Sequence, residues 1–280
     1  MKRILMVLAM EIGFLGAASA APVMNTMEAS APAYTAMYVF GDSYSDMGAR
    51  YLDGNGPTVP VYLARSMGID LTHSKDPQAG NKSLNFAATA AISGIDSGKG
   101  KWGGMGMLDQ VKDFETQVRA GKLKFKPETT LFLIEGGLND SDMSTQQTVD
   151  NINAQIKILQ SLGARHFTLA LLPTSVPDFA ENAKRLNPAY VALVADLKMK
   201  GVDIYLNKWG AYLDEIHDNP KQYGIVETKA KCAGRALFKE DTTPCAMPES
   251  YFYYHSGHPS TAVNKLVADK LYKDLTMTKM

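Results

Sequence analysis

The sequence predicts an α/β fold: a central, mostly parallel sheet covered by helices on both faces, in three layers α/β/α. Three observations carry that prediction. Short apolar runs of strand character alternate with helical stretches of amphipathic spacing along most of the chain. Gly121, Gly163 and Gly201 each follow the last periodic residue of a helical stretch, where a helix end favours a left-handed residue. The rhythm strand, helix, strand recurs without an internal repeat or low-complexity block, so one domain is the economical count.

In chain order, the expected strands are Met37 to Phe40, Thr130 to Glu135, His166 to Leu172 and Val202 to Leu206. Between and after them, Met107 to Ala120, Thr148 to Leu162, Pro188 to Lys200 and Ser260 to Leu275 read as helices. The aromatic run Tyr251 to Tyr254 reads as a buried strand edge. Ahead of all these, Lys2 and Arg3 precede a largely apolar run, Ile4 to Gly16, and then Ala18-Ser19-Ala20, the small-x-small pattern of a cleaved secretory signal over residues 1–20. The run falls short of the ~20 residues a membrane span needs, although Glu11 is unusual within it. Residues 21–35, rich in Ala, Pro, Ser and Thr, read as a linker, leaving 36–280 as the folded domain. The expected location is therefore secreted or periplasmic.

Composition narrows the function classes. With 280 residues, 45% hydrophobic and 21% charged, the chain excludes disorder, collagen and coiled coil. Lys plus Arg equals Asp plus Glu at 29 each, and no basic run exceeds two residues, which argues against a nucleic-acid partner. Two cysteines, Cys232 and Cys245, are too few for a disulfide scaffold or a cysteine zinc site; export would favour a bridge between them.

In open parallel sheets ligands bind beyond the carboxyl ends of the strands, and three such places carry suggestive residues. After the first strand comes Gly41-Asp42-Ser43-Tyr44-Ser45-Asp46, where Ser43 is either a nucleophile awaiting a base or an N-cap serine. After the Thr130 strand comes Gly136-Gly137-Leu138-Asn139-Asp140, where Asn139 is either a donor to a developing oxyanion or part of an Asx turn. Near the C-terminus, His255-Ser256-Gly257-His258-Pro259 offers a general base; His255 and His258 as metal ligands lack a third partner. Asp42, Asp46 and Asp140 read as turn caps beside the site, with Gly137 beneath it. Met105, Met107 and Leu108 read either as an acyl pocket or as core. His73, His166 and His217 read as surface or core residues.

Together these blocks resemble the GDSL, or SGNH, family of serine esterases and lipases. Val39-Phe40-Gly41-Asp42-Ser43 resembles its first block, with Tyr44 where leucine is usual; Gly137-Leu138-Asn139-Asp140 resembles its Gly-x-Asn-Asp block, and His258-Pro259 the end of its last. Tyr223-Gly224 followed by Cys232 and Cys245 is similar to a disulfide segment of secreted members. The resemblance implies an SGNH-like fold and acyl transfer through Ser43 with His258 as base, without metal or cofactor. Oxyanion donors would be the Ser43 N–H and the Asn139 side chain. Two departures stand out. His255 occupies the usual aspartate position, leaving a backbone carbonyl, Glu249 or Asp241 to orient His258. Asn85-Phe86-Ala87-Ala88-Thr89-Ala90-Ala91 lacks the usual glycine, so the third donor is expected at Gly94, or at Ala90 if its φ is negative. The expected substrate is a small-molecule or polymer-borne ester; the alternative is a lipid- or glycan-binding protein on the same fold. No Gly-x-Ser-x-Gly elbow is present, which argues against the α/β-hydrolase fold.

Overall fold

A computed structural model of the chain describes residues 34–80, 82–96 and 105–277. The signal segment 1–20 and most of the linker 21–35 lie outside the described residues. Strand β1 (Ala36–Phe40) is buried along nearly its whole length, which is why it reads as a continuous apolar run rather than an alternating one. In chain order follow helix α1 (Val59–Ser66), β2 (Leu71–His73), β3 (Ser83–Asn85), α2 (Met107–Arg119), β4 (Thr130–Ile134), α3 (Thr145–Ser161), β5 (His166–Ala170), α4 (Ala180–Met199) and β6 (Asp203–Asn207). Helix α5 (Trp209–Asp218), strands β7 (Glu227–Lys231), β8 (Tyr251–His255) and β9 (His258–Pro259) and helix α6 (Thr261–Met277) complete the set.

Six strands form one parallel sheet in the order β2-β3-β1-β4-β5-β6. Helices α2, α3 and α4 pack in one row and α1, α6 and α5 in another, covering the sheet on both sides. The chain leaves β1 toward β3 on one side and later toward β4 on the other. The carboxyl ends of β3, β1 and β4 therefore meet at the switch point where such sheets open a crevice. A second, three-stranded sheet, β7-β8-β9, carries the aromatic run: Phe252 and Tyr253 are buried, and β9 turns back antiparallel onto β8, bringing His258 beside His255.

The structure departs from the sequence expectations at three kinds of place. Strands β2 and β3 hold only three residues each, too few for a periodicity to show. Helix α4 starts at Ala180, well before Pro188, which sits inside it. Pro188 and Lys184 both lie on the exposed face, where solvent satisfies the Lys184 carbonyl that proline cannot serve. Helix α3 starts at Thr145 because Ser144 caps it, accepting from Gln147 N at 3.2 Å while Gln147 Oε1 accepts from Ser144 N.

Candidate active site

The turn after β1 presents Ser43. The Asp42 carbonyl accepts from Ser45 N and Asp46 N, and Asp42 Oδ1 accepts from Tyr44 N, so the chain curls tightly about the serine. Gly41 is required here: a Cβ would meet the Glu135 carbonyl at 2.8 Å and Ser45 Oγ at 2.9 Å. Gln110 clamps the same glycine, its Oε1 accepting from Gly41 N and its Nε2 donating to Gly41 O.

Ser43 Oγ lies 2.7 Å from His258 Nε2, with the two residues 5% and 6% exposed. His258 Nδ1 lies 3.0 Å from the Ser256 carbonyl. The Ser256 carbonyl can only accept and Arg235 Nη2, beside the same Nδ1, can only donate, so the two compete for that nitrogen; with the Nδ1 proton directed at the carbonyl, Nε2 keeps the lone pair that accepts the Ser43 hydroxyl. Tyr44, in the position where leucine is usual, donates its phenol to the Gly257 carbonyl at 2.7 Å and lays its ring edge-on to His258. It ties the serine turn to the histidine turn.

The carboxylate beside His258 is Asp53. Its Oδ2 stands 3.3 Å from His258 Nε2, and its Oδ1 accepts from His255 Nδ1 at 2.7 Å and Arg235 Nε at 2.8 Å. His255, expected at the place of the acid, holds that acid instead. Glu249 and Asp241 are exposed on the surface. Burial pushes the Asp53 carboxyl up, but the His255 hydrogen bond and the charges of His258 and Arg235 outweigh it and hold the carboxyl below its usual range. Burial pushes the His258 imidazole down; Asp53 pulls it part of the way back, and Arg235 opposes that pull. Arg235 Nη2 also donates to the Ser256 carbonyl and lies against His258 Nδ1.

Asp53 lies in a segment with no periodicity, Leu52 to Pro57, that folds back over the histidine turn and the start of α6; Asn55 Oδ1 there accepts from Thr261 N. Arg235 comes from the loop closed by the disulfide Cys232–Cys245. Neither residue carried a signal in the sequence.

A cavity of about 280 Å³ opens over these groups, lined by Ser43, His258, Ala90 and Asn139 from the strand ends and by Leu237 and Phe238 from the disulfide loop. Ala90 has φ +65°, a left-handed conformation that an L-residue adopts only at a cost. The negative φ on which its role as a donor was conditional is not found; Ala90 takes instead the conformation usually given to glycine, at the cavity wall. Gly94 does not line the cavity. Its carbonyl instead receives Leu108 N at the start of α2, and it packs against Asn151. Among the described residues, nothing accepts from the backbone N–H of Ser43 or of Ala90. Asn139 Nδ2 donates one hydrogen to the Ala91 carbonyl at 3.0 Å and keeps its second.

The neighbouring acids support these turns. Asp46 accepts from Gly48 N, Ala49 N, Tyr51 N and Thr89 N, knitting the loop after Ser43 to the Thr89-Ala90 turn. Asp140 accepts from Ser93 N and Thr148 Oγ1. Gly137 has φ +107° and no room for a Cβ, which would sit 2.6 Å from Tyr190 Oη. Asp42 and Glu135 are neighbouring buried carboxyls, and Asp42 Oδ2 and Glu135 Oε1 have no hydrogen-bond partner among the described residues. Burial lifts Glu135 to about 7 and Asp42 well above the usual carboxylate range. Met107 is core, wedged under Gly136. His166 pairs with Asp203, and His217 packs against Phe252. Among the described residues no three ligating side chains gather to hold a metal ion, and no helix is long and apolar enough to cross a membrane.

The chain resembles known proteins along this whole frame. It is 26% identical over 195 residues to the thermolabile hemolysin of Vibrio parahaemolyticus, covering 59% of this chain and 46% of that one. It is 27% identical over 144 residues to a GDSL esterase/lipase of Arabidopsis thaliana, covering 42% and 39%. The chain thus spans less than half the length of these curated relatives. Two solved structures share the fold: a lipolytic protein of the G-D-S-L family from Veillonella parvula (14% identity, TM-score 0.50, 88% of this chain and 100% of that one) and a Bacillus subtilis protein (13%, 0.50, 88% and 57%). The family model described as GDSL-like Lipase/Acylhydrolase matches residues 37–271, from β1 through most of α6. That span takes in every strand end that builds the cavity, and the chain belongs to the GDSL-like lipase/acylhydrolase family.

Proposed function

We propose that this protein is an exported serine ester hydrolase that cleaves carboxylic esters through an acyl-serine intermediate. The observation that carries the reading is the 2.7 Å contact between Ser43 Oγ and His258 Nε2 at the floor of an open cavity. His258 takes the Ser43 proton as Oγ attacks the ester carbonyl. The developing oxyanion is met by the N–H groups of Ser43 and Ala90 and by the second hydrogen of Asn139 Nδ2. Collapse expels the alcohol, which receives the proton from Nε2. Water then repeats the sequence on the acyl-serine.

Asp53 acts on the charged histidine. Its Oδ2 faces Nε2, so it gains little from the neutral ring and attracts the imidazolium that forms during proton transfer. An interaction stronger in the transition state than in the ground state is the kind that raises kcat. Asp53 and Ala90 stand where the acid and the glycine seemed missing, which weighs against the alternative of a lipid or glycan binder without turnover. Export is supported by the N-terminal pattern and the disulfide.

The test is hydrolysis of a short-chain nitrophenyl ester. Ser43→Ala is expected to abolish turnover while the fold persists; unchanged turnover would refute the site.

A further inference from the structure

We propose that an anion-binding subsite adjoins the ester site and selects esters that carry a carboxylate or phosphate group. The proposal rests on the ester-hydrolase reading and deepens it. Arg50 lines the cavity over Ser43 and also a second cavity of about 300 Å³ on its other side. Lys75 and Ser74 line that second cavity, over an apolar floor of Phe86, Ala88 and Met105, and no carboxylate lines it.

The charges around Arg50 do not cancel. In the first cavity, Arg235 and Asp53 neutralise one another at 2.8 Å. Arg50 has no carboxylate partner among the described residues; its one hydrogen bond, 3.3 Å long, runs to the Thr89 carbonyl. Lys75 pairs with Asp113 at 3.3 Å, yet its side chain stays 51% exposed. The chain as a whole has no net charge, but Arg50, in the wall common to the two cavities, carries a charge that no carboxylate hydrogen-bonds among the described residues.

Arg50 is also held in place. Asp46 accepts from Ala49 N and Tyr51 N on either side of it and from Thr89 N, so the loop that presents the guanidinium is fixed relative to the Ala90 turn. A planar guanidinium matches the two oxygens of a carboxylate or phosphate, and a nearby ammonium adds a point charge.

The experiment compares two nitrophenyl esters of equal length. One is the half-ester of glutaric acid, which ends in a carboxylate; the other is its methyl-capped, uncharged counterpart. Wild type is expected to favour the charged ester in kcat/KM by about tenfold at low ionic strength, with the preference shrinking in about 0.5 M salt. Arg50→Gln is expected to bring the ratio close to one, and Lys75→Gln to lower it part of the way. Inorganic phosphate is expected to compete with the charged ester in wild type and weakly in Arg50→Gln. A short-chain acyl glycerol phosphate, run alongside, shows whether the anion belongs to the acyl or the alcohol side. A ratio of one or less in wild type, or a ratio that survives in Arg50→Gln, overturns the subsite while leaving the hydrolase reading in place. Failure to turn over either ester overturns both.

Discussion

Replacing Asp53 by Asn removes one negative charge 3.3 Å from His258 Nε2 and keeps the side chain's size. In the resting enzyme the cost to the fold falls on the buried pairing with Arg235, while little of the interaction with His258 is lost, because the facing imidazole is neutral. Once His258 is protonated the pair attracts by about 5 kcal/mol at an effective dielectric of about 20. Arg235, bonded to the same carboxylate, offsets part of that attraction. Halving it leaves about 2–3 kcal/mol lost from the transition state, or roughly a hundredfold in kcat. The assay is kcat for a short-chain nitrophenyl ester across pH, with thermal unfolding followed in parallel. His258 is already pushed below its ordinary range, and Asp53 is the group pulling it up. The variant's acid limb in kcat/KM should therefore move to lower pH as its plateau falls. A kcat within about threefold of wild type with an unmoved acid limb, or a limb that moves to higher pH, refutes the reasoning.

Three further outcomes follow from neighbouring contacts. His255→Asp, which would restore the carboxylate usual at that position, is expected to lower activity: it sets a second buried carboxyl against Asp53 where His255 Nδ1 now donates at 2.7 Å, and steady-state kinetics read the loss. Glu135→Gln tests the buried pair. Glu135 is raised to about 7, so the stability it contributes is fully present below about 4.5 and is lost as pH rises through 7; chemical denaturation from pH 5 to 8 should show wild type losing about 2–3 kcal/mol more than the variant, which keeps the buried Asp42. Removing the disulfide by Cys232→Ser with Cys245→Ser should cost about 3 kcal/mol of stability in the chain-entropy model and lower kcat as well, since the freed loop carries Arg235.

What could be read from the sequence follows a physical line. Ser43 and Asn139 sit in turns directly after strands and His258 opens the short strand β9, where short local patterns such as Gly-Asp-Ser and His-Pro encode the backbone geometry. The long buried strands β1, β4 and β5 were legible because both faces are covered, giving unbroken apolar runs. Asp53 and Arg235 were not legible. Both come from irregular loops, one folded back over α6 and one closed by the disulfide, and they meet only in three dimensions. The Ala90 turn was half legible: the Asn-Phe-Ala start marked the place. Thr89, directly before the left-handed alanine, is held by Asp46 across 43 residues of chain, a contact no local pattern reports. His255 stands at the sequence position usual for the acid, while the carboxylate beside His258 belongs to Asp53, on a segment some two hundred residues away that no local pattern links to it.

The central claim is that Ser43, activated by His258, is the nucleophile. Labelling with a fluorophosphonate followed by peptide mass mapping tests it most directly. The account predicts a single adduct, on Ser43, formed rapidly by wild type and much more slowly by His258→Ala. An adduct on another residue, or labelling of Ser43 at the same rate without His258, would contradict it.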